Sequence, residues 1–216
     1  MVELLYDVLE NTSIAISIVP LVILIVRWKR AKALSAWLFL TLLIIDLLTE
    51  LSTLILAWNQ INNLFIWHIH AIFFSILLLL IYRTYLRSNI SSFTLLIPNI
   101  IVCISGLLEA FLNQGYLRAN TITYLMLCSQ AILYSQLLFS SLINDRQMKD
   151  LTRSSEFWIN AGMLFSFGTT MCLTLFENYI FEINTELMYY TWSIQLVANI
   201  IFHLVLARGI WLMRRT

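Results

Sequence analysis

Chemistry in this 216-residue chain would depend on a few ionisable side chains set in apolar stretches: Asp46, Glu50, His68, His70 and Glu109. Asp46 and Glu50 are four residues apart, so they share one face of a helix. A buried carboxylate needs a partner, water or a proton. The pair therefore predicts a proton or cation site, and the open alternative is that the acids are hydrogen-bonded packing residues or face an outer cavity.

The two neighbouring histidines suit a structural role at the membrane interface, or ligand or pH sensing, better than they suit a metal site. His68 and His70 are two residues apart, which on a helix separates them by about 200°. An i, i+4 spacing would have indicated a metal pair, so we predict no metal site and no cofactor. Histidine titrates near neutral pH, and we expect Glu50 to pair with His68 or His70 because a short connection makes their two helices antiparallel neighbours.

A polar stripe crosses the last apolar stretch at helical spacing: Trp192, Gln195, Asn199 and His203. Lipid does not tolerate such a face, so we expect it to point toward other helices. It either holds helices together through hydrogen bonds or lines a polar ligand cavity. The candidate ligand or proton site thus comprises Asp46, Glu50, His68, His70, Glu109, Gln195, Asn199 and His203.

The elements that must position these residues are membrane-spanning helices. The chain is 60% hydrophobic and 12% charged, against about 25% charged in soluble domains, which excludes a soluble enzyme, a nucleic-acid binder and a disordered chain. A spanning helix needs about 20 apolar residues. Seven runs qualify, and they predict an all-α polytopic membrane protein, a single domain over 1–216 built as a seven-helix bundle. The predicted spans are 8–26, 33–57, 64–86, 93–113, 121–143, 157–180 and 187–212.

The distribution of basic residues predicts the orientation. Twelve of the 13 Lys and Arg residues follow odd-numbered spans, and only Arg118 lies on the other side. Cytoplasmic loops carry such an excess, so we expect the N-terminus outside and the C-terminus in the cytoplasm. The twelve are Arg27, Lys29, Arg30, Lys32, Arg83, Arg87, Arg146, Lys149, Arg153, Arg208, Arg214 and Arg215.

Two short stretches carry a family resemblance. Residues 156–164 read Glu-Phe-Trp-Ile-Asn-Ala-Gly-Met-Leu; residues 189–192 read Tyr-Tyr-Thr-Trp, and Asn-Ile-Ile-Phe-His follows at 199–203. These stretches and the seven-span layout resemble the seven-helix input modules of bacterial sensor histidine kinases and their stand-alone relatives. The resemblance implies membrane-embedded sensing or a structural partner role, in a bacterial inner membrane and with a cytoplasmic partner protein, and it carries over no catalytic residue.

We therefore expect a non-enzymatic integral membrane module that senses or binds a ligand and acts through a partner protein. Its surroundings are the lipid bilayer, and we expect no nucleic-acid partner. The alternative is a small proton- or cation-coupled transporter that uses Asp46 and Glu50. A retinal protein is excluded because no span contains the lysine that retinal needs. An intramembrane enzyme is disfavoured because no Ser–His or carboxylate–His set occurs at motif spacing.

Overall fold

The computed structural model describes residues 2–30, 33–86, 91–112, 121–144, 150–183 and 185–213. Within these residues the chain is helical, and seven helices are long and apolar enough to cross a membrane, as predicted. They are α1 (Val2–Arg27), α2 (Ala33–Trp58), α3 (Leu64–Tyr85), α4 (Ser92–Leu112), α5 (Thr121–Asn144), α6 (Ser155–Ile183) and α7 (Thr185–Leu212).

Two helix ends differ from the sequence prediction by three residues or more. α1 begins at Val2 rather than at residue 8, because residues 2–10 are mostly good helix formers even though they include acids. α6 continues to Ile183, beyond the last apolar residues of its predicted span. Both extensions consist of turns that carry acids, which hydropathy alone leaves out of a span.

Part of the predicted layout lies outside the described residues. This applies to residue 113, the predicted end of the fourth span, and to seven of the basic residues behind the orientation. The orientation of the termini therefore stays a prediction. The seven are Lys32, Arg87, Arg118, Arg146, Lys149, Arg214 and Arg215.

The helices divide into two compact units. The continuous unit is Ala33–Leu138 and holds α2, α3, α4 and most of α5; the split unit is Met1–Lys32 with Phe139–Thr216 and holds α1, α6 and α7. The single domain over 1–216 stays a prediction.

In the continuous unit, neighbouring helices alternate in direction. Asn99 on α4 donates to Ser75 on α3, and Tyr134 on α5 donates to the Leu95 carbonyl on α4. Ser75 donates to Gln130 on α5, so α3 also contacts α5. Up-and-down helices joined by short connections produce this arrangement.

In the split unit, α1 runs parallel to α7 and α6 runs antiparallel to it. Tyr6 contacts Tyr189 near the start of both helices, and the Arg27 guanidinium lies 3.5 Å from the centre of the Trp211 ring near their ends. α6 approaches α7 closely at Gly209, where an added Cβ would lie 2.6 Å from Ile159 Cγ1. Small residues permit such close helix contacts in membranes.

The turn after α2 ends that helix with a Schellman motif. The Ile61 N–H donates to the Leu56 carbonyl at 2.9 Å, and the Gln60 N–H donates to the Ala57 carbonyl at 3.0 Å. Gln60 has a φ of 57°, the left-handed conformation that this motif requires and that glycine usually supplies.

A second turn precedes α6. The Asp150 carboxylate accepts hydrogen bonds from the Thr152 hydroxyl at 2.6 Å and from the Thr152 N–H at 3.1 Å. Because these bonds favour its charged form, the hydroxyl of Thr152 above all, and then its N–H and the charge of Arg153, hold the pKa of Asp150 below its usual range. The turn fixes the start of α6 at Ser155.

Candidate functional site

A carboxylate, an imidazole and a phenol form a contact chain through three helices of the continuous unit. Asp46 Oδ1 on α2 lies 3.4 Å from His70 Nε2 on α3. The other ring nitrogen, His70 Nδ1, lies 3.2 Å from the Tyr124 hydroxyl on α5. The candidate residues Asp46 and His70 are therefore brought together, and Tyr124 joins them.

The antiparallel register of α2 and α3 explains why this partner is Asp46. The Asn63 side chain, directly before α3, donates to the Thr53 carbonyl at 3.1 Å. Seven residues further into each helix, moving away from the turn, this register brings His70 opposite Asp46. Glu50 lies one turn nearer the connection. The short connection predicted antiparallel contact between α2 and α3, and the register of that contact selects Asp46 as the carboxylate next to His70.

Aromatic rings surround the His70 imidazole. Trp67 packs edge-to-face against it with ring centres 5.7 Å apart, and Phe74 lies at 5.2 Å. Trp67 also contacts Tyr124 at 6.1 Å. His70 is 7% exposed and the Asp46 side chain 20%. In such apolar surroundings a charge on either group is costly unless the other neutralises it.

The Asp46–His70 contact is close but is not a formed hydrogen bond. His70 Nε2 is buried and has no hydrogen-bond partner among the described residues. Charged N–H···O⁻ bonds are about 2.7–2.9 Å long. At 3.4 Å, the distance between His70 Nε2 and Asp46 Oδ1 is longer than that of such a bond. When the Tyr124 hydroxyl donates to Nδ1, the neutral ring carries its proton on Nε2, the atom that faces Asp46.

Glu109 has a capping role at the start of α5. One carboxylate oxygen accepts from the Thr123 N–H at 2.9 Å and from the Thr123 hydroxyl at 2.7 Å. The other accepts from the Ile122 N–H at 3.3 Å. Free N–H groups at a helix start need such acceptors, so Glu109 ties α4 to α5. Its membership of a ligand or proton site stays a prediction.

His68 and Glu50 are the remaining candidates in this unit. His68 is buried, and its Nδ1 atom has no hydrogen-bond partner among the described residues. Glu109 lies within electrostatic range of it. Glu50 is half-buried one turn from Asp46. The predicted pairing of Glu50 with either histidine stays a prediction.

A separate polar cluster joins α3, α4 and α5 and is fully bonded. Ser75 donates to Gln130 Oε1 at 2.7 Å and accepts from Asn99 at 2.7 Å. Gln130 donates to the Tyr134 hydroxyl at 3.0 Å, and Tyr134 donates to the Leu95 carbonyl. Satisfied networks of this kind fix helix packing. Sequence analysis did not identify Ser75 and Asn99, because single small polar residues in an apolar helix form no recognisable pattern.

The α7 stripe belongs to the split unit and faces α6 at Gln195. The Gln195 amide donates to the Thr170 hydroxyl on α6 at 2.8 Å and to Asn199 Oδ1 at 3.4 Å. His203 is 2% exposed. The expectation that Gln195 turns toward a neighbouring helix is therefore confirmed, and a ligand-binding role for the stripe stays a prediction.

Sequence analysis also missed Tyr124. It lies near the start of α5, two turns before Gln130, and an isolated tyrosine near a helix end is typical of a membrane-interface anchor. Only its contact with His70 distinguishes it. No three His, Cys, Asp or Glu side chains that could hold a metal lie together in the part of the chain that the structure describes.

Comparisons with protein-family models, curated proteins and solved structures find no match for this chain. The resemblance to sensor-kinase input modules thus depends on the two stretches quoted above and on the seven-span layout.

Proposed function

We propose that this protein is a non-enzymatic membrane module that senses protons through Asp46, His70 and Tyr124 and passes the response to a partner protein. The observation that carries the proposal is the 3.4 Å contact between a carboxylate and an imidazole on two packed helices. Both groups titrate, and both lie in segments suited to crossing a membrane.

Proton uptake changes the charge of this pair in a defined way. With Asp46 ionised and His70 neutral, the pair carries one negative charge; one added proton makes it neutral overall, and a second makes it positive. An apolar interior favours the neutral state. The first proton binds at Nδ1, where the Tyr124 oxygen then accepts a hydrogen bond from the ring, and the positively charged ring keeps its Nε2–H facing the carboxylate. The attraction between α2 and α3 becomes stronger as a result. The other titratable groups nearby are Tyr124, which bonds to His70, together with Glu50, His68 and Glu109.

The first test uses the fact that the chain has three histidines. In ¹⁵N-histidine-labelled protein in maltoside micelles, three imidazole spin systems are expected, assigned by single His→Gln variants. The His70 ring should be protonated on Nε2 when neutral. At the same pH, the ring ¹⁵N chemical shifts of His70 should differ between Asp46→Asn and wild type, and those of His203 should not. Identical His70 shifts in the two proteins would contradict the proposal.

The second test separates sensing from proton-coupled transport. Transport would also use a titratable pair within a spanning helix. Proteoliposomes with an internal pH dye should retain an imposed pH gradient as long as empty liposomes do. If the wild-type protein collapses the pH gradient and Asp46→Asn does not, the protein is a proton-coupled transporter and not a sensor.

The proposal places the N-terminus outside and the C-terminus in the cytoplasm of a bacterial inner membrane. Support comes from the one-sided distribution of Lys and Arg and the positive-inside rule. A reporter enzyme that is active only in the periplasm should be silent when fused after Thr216. Reporter activity would reverse the orientation.

A further inference from the structure

Three aromatic rings meet where α1 and α7 begin. Tyr6 on α1 lies 5.7 Å from Tyr189 and 5.9 Å from Trp192, measured between ring centres, and Tyr189 lies 6.1 Å from Trp192. The planes are inclined to one another by 67°, 50° and 86°. The three rings, called here the aromatic corner, therefore pack edge-to-face or tilted against one another rather than in a stack, and all three are half-buried.

The dimensions of the aromatic corner suit a cation. Aromatic faces attract cations within about 6 Å of the ring centre. A point about 3.5 Å above the plane of the three centres is about 5 Å from each of them, inside that range. One compact cation there would contact three rings at once.

Negative charge lies beside the aromatic corner. Glu10 is one turn from Tyr6 on α1, and its carboxylate accepts a hydrogen bond from the Tyr6 hydroxyl at 3.4 Å. Asp7 is exposed next to Tyr6. In the sequence, Lys and Arg are absent from 1–26 and from 154–207, the stretches that form nearly all of α1, α6 and α7. No basic side chain of these helices competes for the rings.

The opposite end of the same helix pair provides a comparison. There the Arg27 guanidinium lies over the Trp211 ring at 3.5 Å, so the chain supplies its own cation. At the start of the pair, the aromatic corner has carboxylates beside it, and neither residues 2–26 of α1 nor about the first 20 Å of α7 beyond Trp192 contain a Lys or Arg.

We propose that the aromatic corner, with Glu10, binds an organic cation that carries a quaternary ammonium group. Such a cation is large, weakly hydrated and unable to donate hydrogen bonds, so aromatic faces and a nearby carboxylate recognise it better than polar side chains do. Both a free choline-like solute and the choline headgroup of a lipid present this chemistry.

The experiment titrates purified protein in phosphatidylglycerol nanodiscs with tetramethylammonium, following tryptophan fluorescence. The matched neutral probe is 2,2-dimethyl-1-propanol, the water-soluble alcohol of 2,2-dimethylpropane, which has nearly the same branched shape as tetramethylammonium without its charge. Saturable binding of the cation, at least about tenfold tighter than binding of the alcohol, is expected. Equal binding of both probes, or no saturable response, would overturn the proposal.

Variants locate the site. Trp192→Leu and Tyr6→Leu should each weaken cation binding about tenfold, and Glu10→Gln, which keeps all three rings, about threefold. Trp211→Leu removes a tryptophan from the far end of α7 and should leave the affinity unchanged. Circular dichroism confirms that each variant is folded. An equal loss in Trp211→Leu and Trp192→Leu, or full affinity in Glu10→Gln and Tyr6→Leu, would refute the assignment.

A second nanodisc preparation with phosphatidylcholine distinguishes the source of the cation. If the headgroup is the occupant, the apparent affinity for tetramethylammonium falls, because the lipid competes. If a free solute is the occupant, the affinity is the same in both lipids. Both results support the aromatic corner as a quaternary ammonium site, and the choice between them identifies the ligand.

Discussion

Replacing Gly209 with alanine tests the close packing of α6 on α7. The added Cβ would lie 2.6 Å from Ile159 Cγ1, 3.1 Å from the Ile159 backbone nitrogen and 3.3 Å from the Ser155 carbonyl oxygen. The side chain of Ile159 is 2% exposed and the two backbone atoms cannot rotate away. The helices must therefore move apart.

The magnitude follows from two opposing terms. Overpacking a tight interface costs about 1–3 kcal/mol. Because two of the atoms nearest the added Cβ of Gly209 belong to the backbone, we expect a cost near the upper end of this range. Alanine is a better helix former than glycine by about 1 kcal/mol, which leaves a net loss of about 2 kcal/mol. Gly168 is the matched control, because nothing lies within 4 Å of its added Cβ. Gly168→Ala should gain about 0.5–1 kcal/mol.

The assay is unfolding by SDS in mixed micelles, followed by circular dichroism. The two variants should differ by about 3 kcal/mol in free energy of unfolding. Adding Ile159→Ala to Gly209→Ala removes the nearest atom and should restore about 1 kcal/mol relative to additivity. If Gly209→Ala proves as stable as Gly168→Ala, the close approach of α6 and α7 is wrong.

Three further substitutions test other contacts by the same unfolding assay. Gln60→Gly should stabilise the protein by about 1 kcal/mol, because glycine adopts the left-handed conformation at this position without the steric cost that a side chain brings. Gln60→Ala should not stabilise it, and equal effects of the two substitutions would contradict the Schellman turn. Glu109→Ala should cost about 1–3 kcal/mol because the Thr123 N–H loses its acceptor, and an unchanged stability would refute the cap. Gln130→Leu should cost about 1–3 kcal/mol, whereas the exposed Gln136 tolerates the same change; similar losses at both positions would refute the polar cluster.

The sequence by itself predicted the seven helices and, for part of α7, the side that faces a neighbouring helix. Apolar runs of bilayer length have one stable solution inside lipid, because every backbone polar group must bond within its own helix. The seven helices were therefore predictable, as was the turning of Gln195 toward a neighbouring helix. Helical spacing also placed Asp46 and Glu50 on one face of α2.

Only the tertiary structure decided which side chains meet. Periodicity fixes the direction in which a residue points around a helix but not its height relative to the next helix. That height depends on the turn after Trp58 and on the bond from Asn63 to Thr53, which bring Asp46 to His70. Tyr124 joins them through α5, far along the chain. Such contacts arise from helix register, which local sequence patterns do not encode.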